Sequence, residues 1–387
     1  MRVLILNSEY PPIGGGAGNA SAHIADHLVK MGHEVEVVTA RFEKLPRIEQ
    51  NGRLTIHRIP ALRQRLDRSG PLEQLTFALS ASFLTTSALL SASPSLIPRF
   101  KPDATLAFFG VPSGIAAWWL KRIFGIPYVI SLRGGDVPGF RPYDFERYHK
   151  LLGPFLRVIW KDASAVVANS KGLRDLALAF DSRVEIPIIA NGVELERYAV
   201  SSRDWSPPRL LSVGRLVHQK GLDLAIRALA NLKEMEWEWH IAGDGGQMDK
   251  LKSLASELGI AHRVIFHGWQ SREGLVECYK RSNLFLFPSR HEGMPNVVLE
   301  AMASGLPIIA SRIAGNEELV VDGETGILFP SEDVDLLCAA LKKLLNDSAL
   351  RQRMGDASRR RVEEHYSWEN TAKQYAHLLE NVSKARP

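Results

Sequence analysis

The feature that most constrains this chain is a repeated alternation of a short apolar run, a turn, and a segment with helical periodicity. Val3–Leu6 reads as a buried parallel strand, Gly14-Gly15-Gly16 as a flexible turn, Asn19–Lys30 as an amphipathic helix stopped at Gly32, and Glu34–Thr39 as the next strand. The alternation continues through Ala104–Ala107, Pro127–Ser131 and Ala165–Ala168, and Ser170 suits the N-cap of the helix that follows. Strands alternating with helices predict a doubly wound parallel sheet covered on both faces.

After Asn191-Gly192-Val193 the pattern loosens, and the stretch Ser201-Ser202-Arg203-Asp204-Trp205-Ser206-Pro207-Pro208 reads as a linker, since adjacent prolines stop regular structure. A second count then begins, with strands expected at Arg209–Val213, Glu238–Ala242, Val264–Phe266, Leu284–Phe287 and Pro307–Ala310. A length of 387 residues fits two such domains. We expect an N-terminal Rossmann-like domain over residues 1–200 and a C-terminal one over 201–367. Beyond Phe329 only helices are expected, at Glu332–Leu345, Ala349–Glu364 and Trp368–Ser383, the last (about 368–387) packing back on the first domain.

Composition narrows the class. Hydrophobic residues at 45% and charged residues at 24% belong to a folded globular protein and exclude a disordered one. The two cysteines, Cys278 and Cys338, both fall in helix-like stretches and make no disulfide framework, which fits a reducing cytosol. The opening run Met1–Asn7 is too short for a signal-peptide core. Gln74–Ile97 carries no charge, but seven of its residues from Ser80 to Ser93 are Ser or Thr and it ends at prolines, so it reads as a buried or surface-docked helix and not as a span. The net charge of +5 favours anionic partners without choosing among nucleotides, lipid headgroups and nucleic acid.

The most informative run is Glu292-Gly293-Met294-Pro295-Asn296-Val297-Val298-Leu299-Glu300, after the strand at Leu284–Phe287. Gly293 permits close backbone approach to a ligand, Pro295 suits the first helical position, and the free N–H groups of a helix start attract negative charge. Glu292 on the loop and Glu300 about two turns on can grip two parts of one extended ligand, and carboxylates hydrogen-bond sugar hydroxyls well. Taken alone, the pair equally fits a solvated loop glutamate and a water-facing helical one.

This run resembles the E-x7-E signature of retaining glycosyltransferases of the GT-B fold, in particular family 4. Val213-Gly214-Arg215-Leu216-Val217-His218-Gln219-Lys220-Gly221 is similar to that family's Gly-Arg…Lys-Gly segment, Ala242-Gly243-Asp244-Gly245 to its glycine turn, and Phe266-His267-Gly268 to its base-side loop. Asn191-Gly192-Val193 resembles the segment before its linker, so the likeness covers nearly the whole chain in order. It implies two facing Rossmann-like domains around a cleft, the nucleotide-sugar donor held by the second and the acceptor approached from the first.

The resemblance also implies roles. A departing nucleoside diphosphate gathers negative charge that the Arg215 guanidinium and the Lys220 ammonium can stabilise, where a basic pair would otherwise be a solvated face. Gly214, Gly243 and Gly268 are expected to lie along the donor, Glu300 at the ribose, and Glu292 with Gly293, Met294, Pro295, Asn296 and Val297 at the sugar. Gly15 and Gly16 would face the donor phosphates, although Gly14-Gly15-Gly16 lacks the spacing of a dinucleotide fingerprint. Arg133-Gly134-Gly135-Asp136 is similar to the family's H-G-x-D segment, with Arg133 where many members have a histidine and with Asp136 kept, either to bind an acceptor hydroxyl or to orient the loop.

No metal and no cofactor beyond the donor substrate is expected. Asp333-Val334-Asp335 matches the letters of a D-x-D metal motif but reads as acidic residues suiting the start of a helix. The basic, aromatic-bearing stretches at 62–68 and 141–150 fit a solvated surface, an acceptor-side lining, or contact with an anionic membrane around a lipid-linked acceptor, and no motif supports nucleic acid. The reading is a retaining, hexose-transferring enzyme of glycan, polysaccharide or glycolipid biosynthesis, cytoplasmic or peripheral at the inner membrane face. The alternatives are a sugar-nucleotide epimerase or hydrolase of the same fold and a non-catalytic sugar-nucleotide-binding protein.

Overall fold

The computed structural model describes residues 1–65, 70–90, 100–140, 142–198, 200 and 207–385. The chain divides into two compact units, Met1–Asn191 with Trp368–Pro387, and Gly192–Ser367.

The first unit holds strands β1 (Arg2–Leu6), β2 (Glu34–Ala40), β3 (Ile48–Asn51), β4 (Leu54–Ile59), β5 (Ala104–Phe108), β6 (Tyr128–Leu132) and β7 (Ala165–Ala168). They form one seven-stranded sheet in the order β3-β4-β2-β1-β5-β6-β7. All neighbours are parallel except β3 and β4, which form an antiparallel hairpin at the edge. Strand β1 shows why a parallel sheet reads as continuous apolar sequence: Val3 and Ile5 join a core with Ile24 and Leu28 of the helix Gly16–Lys30, while Leu4 and Leu6 join the opposite core with Ala117 and Leu120 of the helix Gly114–Phe124. The last helix, Trp368–Lys384, belongs to this unit, where Tyr375 and Leu379 complete the first of those cores and Trp368 stacks on His23 at 4.8 Å.

The second unit holds β8 (Arg209–Val213), β9 (Glu238–Ala242), β10 (Val264–Gly268), β11 (Leu284–Phe287), β12 (Ile308–Arg312) and β13 (Gly326–Pro330), all parallel, in the order β10-β9-β8-β11-β12-β13. Its core packs Leu210, Leu284 and Leu286 under Leu224 and Ala228 of the helix Leu222–Ala230 and Leu337 and Leu341 of the helix Val334–Asn346.

Four expectations are corrected. The hairpin β3–β4 and the edge strand β13 were not anticipated: Ile48–Asn51 is exposed throughout and has no apolar face to reveal it. The helix after β1 starts at Gly16, three residues before Asn19, and its first turn packs so closely on the preceding loop that a Cβ on Gly18 would lie 2.9 Å from Ile13 O. Pro295 stands just before the helix Asn296–Ala303 as its N-cap, with extended φ/ψ, and is not its first residue. The division between units falls after Asn191 and not after residue 200, because the segment that follows is tied to the second unit. There Val193 N–H donates to Tyr366 O at 2.9 Å, and Arg359 donates to Tyr198 O at 2.7 Å. Most of the expected linker, residues 201–206, and residues 91–97 of the uncharged stretch lie outside the described residues. The helix Pro71–Leu90 is described, and no helix among the described residues is long and apolar enough to cross a membrane.

Candidate functional site

In the second sheet β8 is flanked by β9 on one side and β11 on the other, so the order in which the parallel strands are added reverses between β8 and β11. Such a switch point leaves a crevice outside the carboxyl ends of the strands, where ligands of open α/β sheets bind. The loops that follow β8 and β11 carry Gly214–Gly221 and Pro288–Pro295.

These loops fit against one another through glycine. Gly214 and Gly243 adopt φ of +147° and +144°, and a Cβ on Gly243 would sit 1.9 Å from Gly214 O. Backbone hydrogen bonds run from Gly214 N–H to Ala242 O at 3.0 Å and from Gly243 N–H to Gly268 O at 2.8 Å, so the three expected glycines line adjacent strand ends. Gly221, at φ +62°, lies so close to Pro288 O that a Cβ would come within 2.0 Å of it.

Across the switch point, the Lys220 ammonium donates to Glu292 Oε1 at 2.6 Å and lies 4.9 Å from the centre of the Phe287 ring. Ser289 Oγ also donates to Glu292 Oε1, at 2.7 Å. Arg215, by contrast, is exposed and makes no side-chain hydrogen bond or ion pair among the described residues. Lys220 and Glu292 are therefore brought together, whereas Arg215 stands at the same strand end with its guanidinium unused.

Glu300 sits in the helix Asn296–Ala303, and Tyr279 donates to its Oε2 at 2.9 Å. Burial pushes the Glu300 carboxyl up to about 7, against the opposing pull of the Tyr279 and Tyr198 hydroxyls and of Arg272 and Arg197. Gly293, Met294 and Pro295 are buried, and Asn296 and Val297 are half-buried.

Four positioning residues escaped the sequence reading. Arg290 donates to His218 O at 2.7 Å and bidentately to Asp223 at 2.9 Å, which braces the Lys220 loop, and it also pairs with Glu332. Those carboxylates hold the Arg290 guanidinium even further above its usual range. Ser289 and Tyr279 hold the two glutamates, and Gly315 backs the Glu292 loop so closely that a Cβ would lie 2.6 Å from Gly293 O. The partners of Arg290 are distant in sequence, 72 residues for His218 and 67 for Asp223, and Tyr279 lies 21 residues from Glu300. Ser289 is only three residues from Glu292, but no local pattern announces that contact.

In the first unit Gly14 takes φ +91° against Glu9, while Gly15 caps the helix beginning at Gly16 and has open space where a Cβ would point. Asp136 is buried: Oδ1 accepts from Arg133 N–H at 3.0 Å and Gly134 N–H at 3.1 Å, and Oδ2 from Gly110 N–H at 2.8 Å. Burial pushes its carboxyl up and those N–H groups pull it back. Of the two readings for Asp136, this arrangement fits the loop-orienting one. Arg133 turns inward, donating to Asn191 Oδ1 at 2.7 Å and Tyr375 OH at 3.3 Å and lying 4.4 Å from the Phe108 ring centre. Burial lowers its pKa, with Tyr375 and Asp136 opposing. A guanidinium so engaged holds the last helix in place, which a sugar-contacting role would not require. Asp333, the first acid of the D-x-D letters, accepts from Leu336 N–H at 2.9 Å as a helix N-cap.

Residues 14–197 match the family described as Glycosyltransferase Family 4, and residues 199–361 match Glycosyl transferases group 1. The alpha-D-kanosaminyltransferase of Streptomyces kanamyceticus is 31% identical over 268 residues, covering 63% of this chain and 68% of the relative. Sucrose-phosphate synthase from Thermosynechococcus elongatus superposes with a TM-score of 0.86 at 20% identity, over 99% of both chains. Anabaena HepE, solved in complex with UDP and glucose, superposes with a TM-score of 0.76 at 20% identity, over 98% of this chain and 100% of its own.

Proposed function

This chain belongs to the group 1, family 4 glycosyltransferases, and we propose that it moves a hexose-type sugar from a nucleoside-diphosphate sugar to an acceptor hydroxyl, with retention of anomeric configuration and without a metal. The observation that carries this reading is the clasp of Lys220 and Glu292 at the switch point of the second sheet, with the unengaged Arg215 beside it. Arg215 and Lys220 take the charge gathering on the leaving diphosphate, so no divalent cation is called upon. Glu292, with the backbone from Gly293 to Asn296, holds the sugar hydroxyls, and Glu300 holds the ribose. The use of Asp333 as a helix cap supports leaving the D-x-D letters out of the chemistry.

In the proposed reaction the bond from C1 to the diphosphate oxygen breaks through an oxocarbenium-like state. The acceptor oxygen bonds to C1 from the face the leaving group vacates, and its proton passes to the departing phosphate. No side chain forms a covalent intermediate. Gly15 and Gly16 are assigned to the donor phosphates, and the Arg133–Asp136 loop to the acceptor side, with Asp136 shaping the backbone. That HepE was solved with UDP and glucose supports a nucleotide-sugar donor here.

The test is transfer from a panel of UDP-, GDP- and ADP-hexoses to simple saccharides and to extracted lipids, with the product's anomeric proton read by NMR. An α-linked product from an α-linked donor supports the reading. An inverted product, or a changed donor formed with no acceptor present, overturns it.

A further inference from the structure

The helix Pro71–Leu90 is apolar on two opposite sides. Phe77, Ala78 and Ala81 are buried in the core of the first unit, as an amphipathic helix requires. On the far side Leu72 (60% exposed), Leu75 (52%), Leu79 (62%) and Phe83 (73%) project into solvent. At 100° per residue these four fall within about 80° of arc, and at 1.5 Å per residue they run for about 16 Å. The stripe continues onto the neighbouring helix Gly114–Phe124, where Trp119 and Ile123 are also exposed and Trp119 Nε1 donates to Thr86 Oγ1 at 3.2 Å. An uncovered apolar face of this extent marks an interaction surface.

The charges around it select the occupant. Residues 61–65, whose Leu62 N–H donates to Thr76 Oγ1 at 3.2 Å, carry Arg63 and Arg65, and the Gly114–Phe124 helix carries Lys121 and Arg122. Against these four bases, the segment and the two helices contain one acid, Glu73, which is turned back onto the N–H groups of Gln64 and Gly70 at 2.9 Å. Asp162, on another helix, pairs with Arg122 at 3.2 Å and accepts from Lys121 through its backbone carbonyl. The half-buried Arg63 donates to Arg65 O at 2.8 Å and Ser8 O at 3.3 Å, so four basic groups stand against two carboxylates, with Arg65 exposed beside the stripe. An exposed apolar stripe with an aromatic at its margin and an excess of basic over acidic groups beside it has the chemistry of a helix lying in a membrane interface.

We propose that this face docks the first unit on an anionic lipid surface, with Leu72, Leu75, Leu79 and Phe83 entering the headgroup–acyl boundary. The docking does not depend on the donor assignment in the second unit.

Co-sedimentation of the full chain with vesicles of phosphatidylcholine alone, and of phosphatidylcholine with phosphatidylglycerol, tests it. The wild type is expected to bind the anionic vesicles preferentially and to be released by high salt. Leu79→Glu/Phe83→Glu is expected to bind about tenfold more weakly, or less still. Wild type left in the supernatant with both vesicles, or a variant that binds like wild type, overturns the proposal. So does a wild-type dimer in solution that the double substitution converts to monomer, since a second copy would then cover the face. Should the double variant misfold, Leu79→Cys carrying an environment-sensitive fluorophore serves instead: a blue shift on adding anionic vesicles supports docking, and no shift overturns it.

Discussion

The Lys220 ammonium lies 2.6 Å from Glu292 Oε1, joining the loop after β8 to the loop after β11 across the point where the strand order of the second sheet reverses. Both side chains are largely withdrawn from solvent. Each therefore compensates the other's buried charge in the unliganded protein. An ammonium has three protons to give, so Lys220 can meet a phosphate oxygen while still holding Glu292.

Breaking that pair from one side leaves an uncompensated charge. Lys220→Met is expected to lower unfolding free energy by on the order of 3 kcal/mol, measured by urea denaturation. The double variant Lys220→Met/Glu292→Leu should regain most of the loss yet fail to bind donor. A double variant no more stable than the single one would show that the pair is not the unit we describe.

Glu300 sets a pH dependence. Its folded-state pKa of about 7 is raised from 4.5, so the folded state holds a proton the unfolded chain has lost between those values. The contribution is fully present below about pH 4.5 and is lost as pH rises through 7. It amounts to on the order of 3 kcal/mol. Glu300→Gln should flatten this part of the stability profile between pH 5 and 8, and an unchanged slope would remove Glu300 as its source.

Gly243 is required by space as well as by φ. Gly243→Ala drives a Cβ to 1.9 Å from Gly214 O and is expected to cost roughly 3 kcal/mol or more, while Gly246→Ala, with nothing within 4 Å, should be nearly neutral. Comparable melting temperatures for the two variants would contradict the close packing of the strand-end glycines.

Arg133 and its partners Asn191 and Tyr375 all lie in the first unit. Arg133→Met removes the hydrogen bonds to Asn191 and Tyr375 and is expected to destabilise the first unit by about 2 kcal/mol. The thermal shift given by donor nucleotide should persist, because Arg215, Lys220, Glu292 and Glu300, the side chains proposed to hold the donor, lie in the second unit. Loss of donor binding in a folded Arg133→Met protein would place Arg133 in the donor site.

The strands at Arg209–Val213, Glu238–Ala242 and Leu284–Phe287 were legible because parallel strands buried on both faces are predominantly apolar runs closed by turn residues, unbroken in Leu284–Phe287. The hairpin β3–β4 carried one signal, Asn51-Gly52, with Gly52 at φ +58° in a two-residue loop, but its outer strand has no apolar alternation. At the candidate site, glycines and charges stood out by residue type and order. Which charges pair did not: Lys220 and Glu292 are 72 residues apart, and only the sheet order brings them together. Arg133 was legible as a departure from the family pattern, whereas its inward turn to Tyr375, 242 residues on, was not.

The exposed Arg215 is where donor chemistry and folding separate most cleanly. Because its side chain is exposed and makes no hydrogen bond or ion pair among the described residues, Arg215→Ala should melt within about 1 °C of wild type. Its transfer rate should nonetheless fall by about 10²–10³-fold if the guanidinium stabilises the leaving diphosphate. The most direct test is a thermal-shift panel of UDP, GDP, ADP and their sugar conjugates in chelator, run on wild type and on Arg215→Ala side by side. The account predicts that one diphosphate series raises the wild-type melting temperature without metal and that Arg215→Ala loses most of the shift. Silence across the panel, a shift that needs a divalent cation, or an equal shift in Arg215→Ala would contradict it.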